Sequence, residues 1–271
     1  MATAAARTSP RPPVESTPSI KSAERAMDLL DLLANNRHGL SFGDIRTALD
    51  VPKSSLHGLL KVMTDRGYLS LDTQTRLYRV GVRVWESGHA FSSATDLARV
   101  AQPHLAALLG ELNETIQMAI LDGLENVYIA KQDSDHPLRL VSDVGRRLPA
   151  HTTALGKMLL AMLDSEELDR RLDGVTLQSF TEATISDTDD LRAMVAKIRR
   201  RGYAEDLGEY TIGLYCVAVP VMDRPGHVVA AISCSVPVAR LGKRPTTVRT
   251  QFLEPLQRTA AAISADLEGR G

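Results

Sequence analysis

Residues 53–63, KSSLHGLLKVM, combine an apolar helical stripe with a polar face that contains no acidic side chain. Four residues follow the i, i+3, i+4, i+7 spacing of one helix face: Leu56, Leu59, Leu60 and Met63. The other face carries only small, hydroxyl-bearing or basic residues: Lys53, Ser54, Ser55, His57, Gly58 and Lys61. Glycine in a helix interior costs roughly 1 kcal/mol relative to alanine. The pattern therefore predicts a helix whose exposed face is cationic and locally bare.

The segments around this helix predict a winged helix-turn-helix. Ser22 suits the N-cap of a first helix that ends in the turn at 35–39, and a second, short helix runs from about Ser41 to Leu49. Pro52 suits the first turn of the third helix. Two β-prone runs, 68–71 and 77–82, follow it and predict a hairpin, the wing.

Such a unit is typical of DNA-binding proteins, whose recognition helix presents donors to the major groove and avoids carboxylates. The charge distribution agrees with this interpretation. From Arg37 to Arg83 the chain holds eight Lys or Arg against four Asp or Glu, whereas residues 91–271 hold 20 against 24. We therefore predict contacts with double-stranded operator DNA from Lys53, Ser54, Ser55, His57, Gly58, Lys61, Arg76 and Arg79.

Length and composition bound the remaining possibilities. A chain of 271 residues favours two compact domains, and residues 1–18, rich in Ala, Thr, Ser and Pro, predict a disordered tail. No run approaches the roughly 18 apolar residues of a membrane span, and no signal peptide is recognisable, so we expect a cytoplasmic protein with no membrane partner. Two cysteines are too few for a disulfide framework or a cysteine-built zinc site, and no cofactor is expected.

Longer stretches resemble one known family. "KSSLHGLL", "RGYL" and "YRVGVRVWE" are similar to the DNA-binding domain of IclR-family transcriptional regulators. "VGRRLPAHTTALGKMLLA" (144–161) and "GYAEDLGEYTIGLYCVAVPVMDRPGHVVAAISCSVP" (202–237) resemble the two signature stretches of that family's effector-binding domain. Gly58 departs from the family, in which many members carry Arg at this position. The resemblance implies a ligand-responsive regulator of a catabolic or metabolic operon, assembled as a homodimer or homotetramer.

The two halves are joined by a predicted linker helix. Residues 95–112 place an apolar stripe at helical spacing, long enough to pack on the second domain or on a partner chain: Leu97, Val100, Ala101, His104, Leu105, Leu108 and Leu112. Because winged helices usually read DNA as symmetric dimers, self-association through this stripe is the favoured interpretation. We therefore expect a winged helix-turn-helix domain at 19–83, a linker helix region at 84–112 and an effector-binding domain at 113–271.

The C-terminal half predicts an α+β domain with an antiparallel sheet, which the resemblance makes GAF-like or profilin-like, whereas the N-terminal winged helix-turn-helix is expected to be all-α. Hairpins are predicted for 115–131 and for the strands on either side of 223–226, with a short strand at 138–141. If Asp223 to Gly226 forms the turn, Cys216 lies opposite Ser233. Ser235 then shares their face, because strand side chains alternate.

The resemblance also assigns effector-binding residues. Asp206, Cys216, Ser233 and Ser235 fall where family members contact effectors, as do Ala154 and Leu155, with apolar lining from Leu140 and Leu148. His151-Thr152-Thr153 precedes a helix whose N-terminal amides suit a carboxylate. The expected ligand is a small hydroxy or oxo acid, either sugar-derived or aromatic.

Two other classes stay open. Cys216 with His151 could act as nucleophile and base in a thiol-dependent enzyme, although no catalytic motif accompanies them. His151, Asp206 and Cys216 are also acceptable zinc ligands, without a recognised spacing, and would make a metal-responsive regulator. We expect no enzymatic activity and no bound metal. Whether the protein represses or activates depends on where its operator lies relative to a promoter.

Overall fold

A computed structural model describes residues 20–95, 97–136, 143–241 and 245–269, without the side chains of 89–95 and 245–250. The chain divides into two compact units between Thr95 and Asp96. The predicted tail at 1–18, the predicted strand at 138–141 and the predicted site residue Leu140 lie outside the described residues.

The N-terminal unit is a winged helix-turn-helix. Its elements are α1 (Lys21–Ala34), β1 (Leu40–Ser41), α2 (Phe42–Leu49), α3 (Lys53–Asp65), β2 (Leu69–Leu71), β3 (Leu77–Val80) and α4 (Val82–Thr95). The predicted stripe of α3 is confirmed, because Leu56, Leu60 and Met63 are buried against α1 and α2. The unit is not all-α, since β1 joins the wing to form a three-stranded sheet in the order β1-β3-β2.

Local hydrogen bonds set the ends of the first helices. Ser41 caps α2 in a reciprocal arrangement with Asp44: the Asp44 amide donates to Ser41 Oγ over 3.2 Å, and the Ser41 amide donates to Asp44 Oδ2 over 3.1 Å. The prediction of Ser22 as the cap of α1 is wrong. The amides of Ala23 and Glu24 donate to the carbonyl of Ile20, so the helix begins at Lys21 and Ser22 lies in its first turn.

The C-terminal unit is an α+β domain. It contains α5 (Leu97–Leu112), β4 (Thr115–Asp122), β5 (Glu125–Gln132), β6 (Arg147–Pro149), α6 (Ala154–Ala161), α7 (Ser165–Leu172), α8 (Thr188–Arg201), β7 (Ala204–Leu207), β8 (Leu214–Arg224), β9 (His227–Pro237) and α9 (Pro245–Glu268). The strands form an antiparallel sheet in the order β6-β5-β4-β9-β8-β7. Helices α5 and α9 cover one face, and α6, α7 and α8 cover the other.

The linker helix predicted for 95–112 corresponds to α5, and the wider linker region predicted for 84–112 also includes most of α4. α4 belongs to the N-terminal unit, and α5 begins at Leu97 and belongs to the C-terminal unit. Leu105 and Leu108, on the predicted stripe, are almost completely buried in the same apolar core as Val217 and Ile232 of the sheet. The stripe of α5 therefore packs on its own domain, whereas the sequence analysis favoured packing on a partner chain.

The hairpin of β8 and β9 is confirmed, but its register differs from the prediction by two residues. The turn consists of Pro225 and Gly226 alone, because Arg224 pairs with His227. Cys216 accordingly lies opposite Ser235 instead of Ser233, which faces Ala218. From Leu214 to Val221 the shift is two residues, which keeps these side chains on their predicted face because strand side chains alternate with a period of two, whereas an irregularity at Met222 interrupts the register near the turn.

Candidate functional site

Four of the residues predicted to bind an effector lie together on the sheet face that α6 covers. Cys216, Ser233 and Ser235 are buried on adjacent strands, and Asp206 pairs with Cys216 across β7 and β8. The Cys216 sulfur lies 3.2 Å from Ser235 Oγ, and Ser235 donates to Gln117 Oε1 over 3.1 Å. Together with Asp206, these groups form a buried line of polar side chains across four neighbouring strands, β7, β8, β9 and β4.

Asp206 is a carboxyl group held in an environment that favours its neutral form. Burial is the main cause that raises its pKa to about 7, and the nearby Glu209 carboxylate adds to the effect. The Glu209 amide donates to Asp206 Oδ1 over 2.8 Å and acts in the opposite direction. Near neutral pH this group can therefore either donate or accept a hydrogen bond.

A buried ion pair borders Asp206. Lys157, in α6, is fully buried, and its ammonium group contacts Glu209 Oε1. Burial also raises the pKa of Glu209. The hydroxyl of Thr184 donates to the Glu209 carbonyl over 2.6 Å, and that of Thr181 donates to the Gly208 carbonyl over 2.8 Å. The loop that follows β7 is thereby fixed against α6.

The first turn of α6 forms the remaining wall of the candidate effector site. Thr153 caps the helix by accepting from the Gly156 amide over 2.9 Å, and its hydroxyl donates to Asn126 Oδ1 over 2.8 Å. Ala154 and Leu155 are buried beside it. Any Cβ on Gly156 would lie 2.3 Å from Ala150 Cα, so only glycine allows this approach of the helix to the chain before it. Leu148, on β6, is also buried in the core beneath α6.

The predicted DNA-contacting residues are on the surface of the N-terminal unit, with two qualifications. Lys53, Ser54, Ser55, His57, Gly58 and Lys61 are all exposed on α3. Lys61 pairs with Asp65 over 2.7 Å, so the acid-free face ends at the last residue of the helix. Arg79 is held by the His38 carbonyl at 3.3 Å and by Asp72 at 3.4 Å, whereas Arg76 is exposed at the wing turn.

Comparisons with known proteins match both units. The family model described as IclR helix-turn-helix domain matches residues 22–73, and that described as bacterial transcriptional regulator IclR C-terminal matches residues 89–265. The HTH-type transcriptional regulator XynR of Escherichia coli K12 is 36% identical over 250 residues, covering 92% of this chain and 98% of XynR. The chain belongs to the IclR family. It is a DNA-binding transcriptional regulator that responds to a ligand.

Two solved structures superpose on more than nine-tenths of this chain. A putative regulator from Rhodococcus sp. RHA1 superposes with a TM-score of 0.80 at 29% identity, covering 93% of this chain and all of that one. An IclR homologue from Microbacterium hydrocarbonoxydans, solved in complex with 4-hydroxybenzoate, superposes with a TM-score of 0.79 at 27% identity, covering 92% and 99% of the two chains. None of the helices in the described ranges has the length and apolarity to cross a membrane.

Four polar residues of this candidate site are not among those predicted from the sequence: Gln117, Asn126, Lys157 and Glu209. A signal was present for Lys157, since a lone cation within the apolar helix ALGKMLLA indicates a buried ion pair. Gln117 pairs with Ser233, a contact that follows only from the sheet order. Asn126 and Glu209 are identified by the tertiary structure alone, because they reach the site from a hairpin and a loop.

Proposed function

We propose that the C-terminal unit senses a small organic acid through Asp206, Cys216, Ser233, Ser235, Ala154, Leu155 and Leu148. The observation that supports this most is the buried line of hydrogen-bonding groups from Asp206 to Gln117, which lies in the same domain as the first turn of α6. Buried polar side chains can form hydrogen bonds with a polar ligand, and the N-terminal amides of a helix favour a carboxylate. The structural neighbour solved with an aromatic hydroxy acid supports the same ligand class.

For the DNA interface, we propose that α3 lies in the major groove of an operator. Lys53 and Arg76 would contact phosphates, while Ser55 and His57 would face base edges. We add Arg46 to the proposed DNA-contacting residues, because it lines a surface depression together with Lys53 at the turn between α2 and α3. Arg79 is better suited to holding the wing against the loop before β1, since its guanidinium already has two partners.

Assembly as a homodimer or homotetramer remains part of the proposal. Trp85 and Val82 on α4 are each 66% exposed, although both are large apolar side chains. Exposed apolar groups on one helix suit contact with a second copy, and winged helices usually read two half-sites. Action on operator DNA would take place in the cytoplasm.

Specific contacts disfavour the two rival functions. The His151 ring nitrogen Nε2 lies 2.9 Å from the Gln178 carbonyl, to which it donates a hydrogen bond, so this nitrogen is not available as a base or as a metal ligand. Burial raises the pKa of the Cys216 thiol, which reduces the thiolate that a nucleophile or a zinc ligand requires. Neither residue is prepared for catalysis or metal binding.

The test of the proposed function is a salt titration of operator binding with and without small acids. Lys53→Ala should weaken binding to every DNA sequence and reduce the salt slope by about one, as expected for one lost phosphate contact. Asp206→Asn, in the other unit, should keep the operator affinity of the parent but change the acid concentration that releases DNA. Binding that is insensitive to every acid of a broad panel would contradict ligand sensing, and an unchanged salt slope would contradict the role of Lys53.

A further inference from the structure

Two buried polar atoms at the candidate effector site have no hydrogen-bond partner within 3.5 Å, although the Asn126 side chain also lies beside the buried Tyr128 hydroxyl. Among the described residues, the buried side-chain atoms without a partner include Asn126 Nδ2 and Glu209 Oε2. Asn126 is fully buried, and the Glu209 side chain is 12% exposed. A buried polar group left unpaired is costly, so each of these atoms indicates what a bound molecule should supply.

The unpaired atom of Asn126 is a donor at the N-terminus of α6. The other branch of the same amide, Oδ1, accepts from the hydroxyl of Thr153, the residue that caps this helix. The unpaired amide nitrogen therefore lies beside the helix end, where the backbone N–H groups create a partial positive charge. An anionic acceptor, such as a carboxylate, matches both features.

The unpaired atom of Glu209 is an acceptor one helical turn further on. Its partner on α6, Lys157, follows Thr153 by four residues, which is about 6 Å along the helix axis. Oε1 of Glu209 contacts Lys157, while the Glu209 amide holds Asp206. A hydroxyl group can donate to the free oxygen of Glu209, whereas a ketone oxygen has no proton to donate and leaves that oxygen unpaired.

We propose that Asn126 and Glu209 are specificity-determining residues, and that the effector is a hydroxy acid whose carboxylate binds at Asn126 and whose hydroxyl donates to Glu209. This inference rests on the proposed sensing of a small acid and specifies which acids bind. The ligand must carry a hydroxyl group that donates a hydrogen bond, and the corresponding oxo acid binds weakly. The separation of the two anchors along α6 limits the ligand to a small molecule.

Calorimetry on the full chain tests this inference with matched acids: lactate, pyruvate and propionate form one set, and 4-hydroxybenzoate, its methyl ester and benzoate form another. The hydroxy acid of at least one set should bind at least about tenfold more tightly than its oxo, deoxy or ester analogue, because each analogue leaves one buried group unpaired. Glu209→Gln keeps an oxygen for Lys157 but presents N–H in place of Oε2. This variant should lose the preference for a hydroxyl over a keto group.

Matched controls separate the site from general effects of the substitutions. Glu205→Gln is the control for Glu209→Gln. The Glu205 carboxylate accepts hydrogen bonds from Arg201 and Tyr215 away from the site, so this variant should keep the preference for a hydroxyl group. Asn126→Asp should weaken binding of the acid by at least about tenfold through charge repulsion, while Asn113→Asp, in a surface turn, should not. If Asn126→Asp fails to fold, Glu209→Gln still decides the outcome.

The outcomes distinguish this inference from the proposed function. Acids that bind and release operator DNA without preferring a hydroxyl, or with a preference that survives Glu209→Gln, would overturn the roles of Asn126 and Glu209 and leave acid sensing intact. If no acid of either set binds at millimolar concentration or changes operator affinity, both the inference and the proposed ligand class are overturned.

Discussion

Replacing Asp206 with asparagine should remove a pH dependence of stability from the C-terminal unit. Burial, the main cause, raises the pKa of Asp206 from 3.8 to about 7. The folded state then keeps a proton that the unfolded chain has released, so stability falls as the pH rises from the unfolded to the folded pKa. Between about pH 5 and about pH 8 the parent should lose roughly 2.5 kcal/mol more than Asp206→Asn. Asparagine preserves the acceptor for the Glu209 amide.

Urea denaturation followed by far-UV circular dichroism measures this difference. Trp85, the single tryptophan, lies in the N-terminal unit, so its fluorescence provides an internal reference that should not change. His151, whose pKa is lowered, titrates with the opposite sign but is present in both proteins and cancels in the difference. Asp223→Asn, at an exposed carboxylate whose pKa is lowered by His227, should leave the pH dependence intact. Parallel stability curves for the parent and Asp206→Asn would refute the reasoning.

Three further substitutions test the packing. Gly58→Ala should stabilise the N-terminal unit by up to about 1 kcal/mol, because an added Cβ meets nothing within 4 Å and alanine favours a helix. Trp85 fluorescence in urea measures this gain in stability. The operator affinity of the same variant should fall. Leu105→Asp should unfold the C-terminal unit in a circular dichroism melt, because a fully buried site would receive a charge. Gly156→Ala should displace α6 from Ala150 and abolish the ligand response, with operator binding at low salt retained in an anisotropy assay.

The sequence predicts which residues of the candidate effector site share a sheet face better than it predicts the contacts among them. Alternation along a strand predicts that Cys216, Ser233 and Ser235 share one face, and this prediction needs no knowledge of the turn. Their pairing needed the turn residues, and the structure has Arg224 opposite His227 instead of a longer turn. An error of an even number of residues changes the partners but not the faces, so the predicted set survived a wrong register.

Predictions that required long-range contacts could not be made from local patterns. The stripe of α5 is equally compatible with packing on its own sheet and packing on a partner. Arg79 has the same sequence signal as Arg76, yet its guanidinium is bonded to a carbonyl 41 residues away. Position on a helix or strand follows from periodicity, whereas the partner of a long side chain depends on which loops the fold brings near it.

The unpaired buried atoms at the candidate effector site destabilise the free protein, and a ligand that pairs them would remove this cost. Asp206 favours its neutral form, and Asn126 and Glu209 each bury an unpaired atom, a situation that typically costs about 1 to 3 kcal/mol for each group. A ligand that satisfies these atoms stabilises the C-terminal unit by about 2.7 kcal/mol when present at 100 times its dissociation constant. The true effector should therefore raise the melting temperature reported by circular dichroism while the Trp85 transition stays in place. An acid that releases operator DNA and leaves the C-terminal melting temperature unchanged would bind elsewhere.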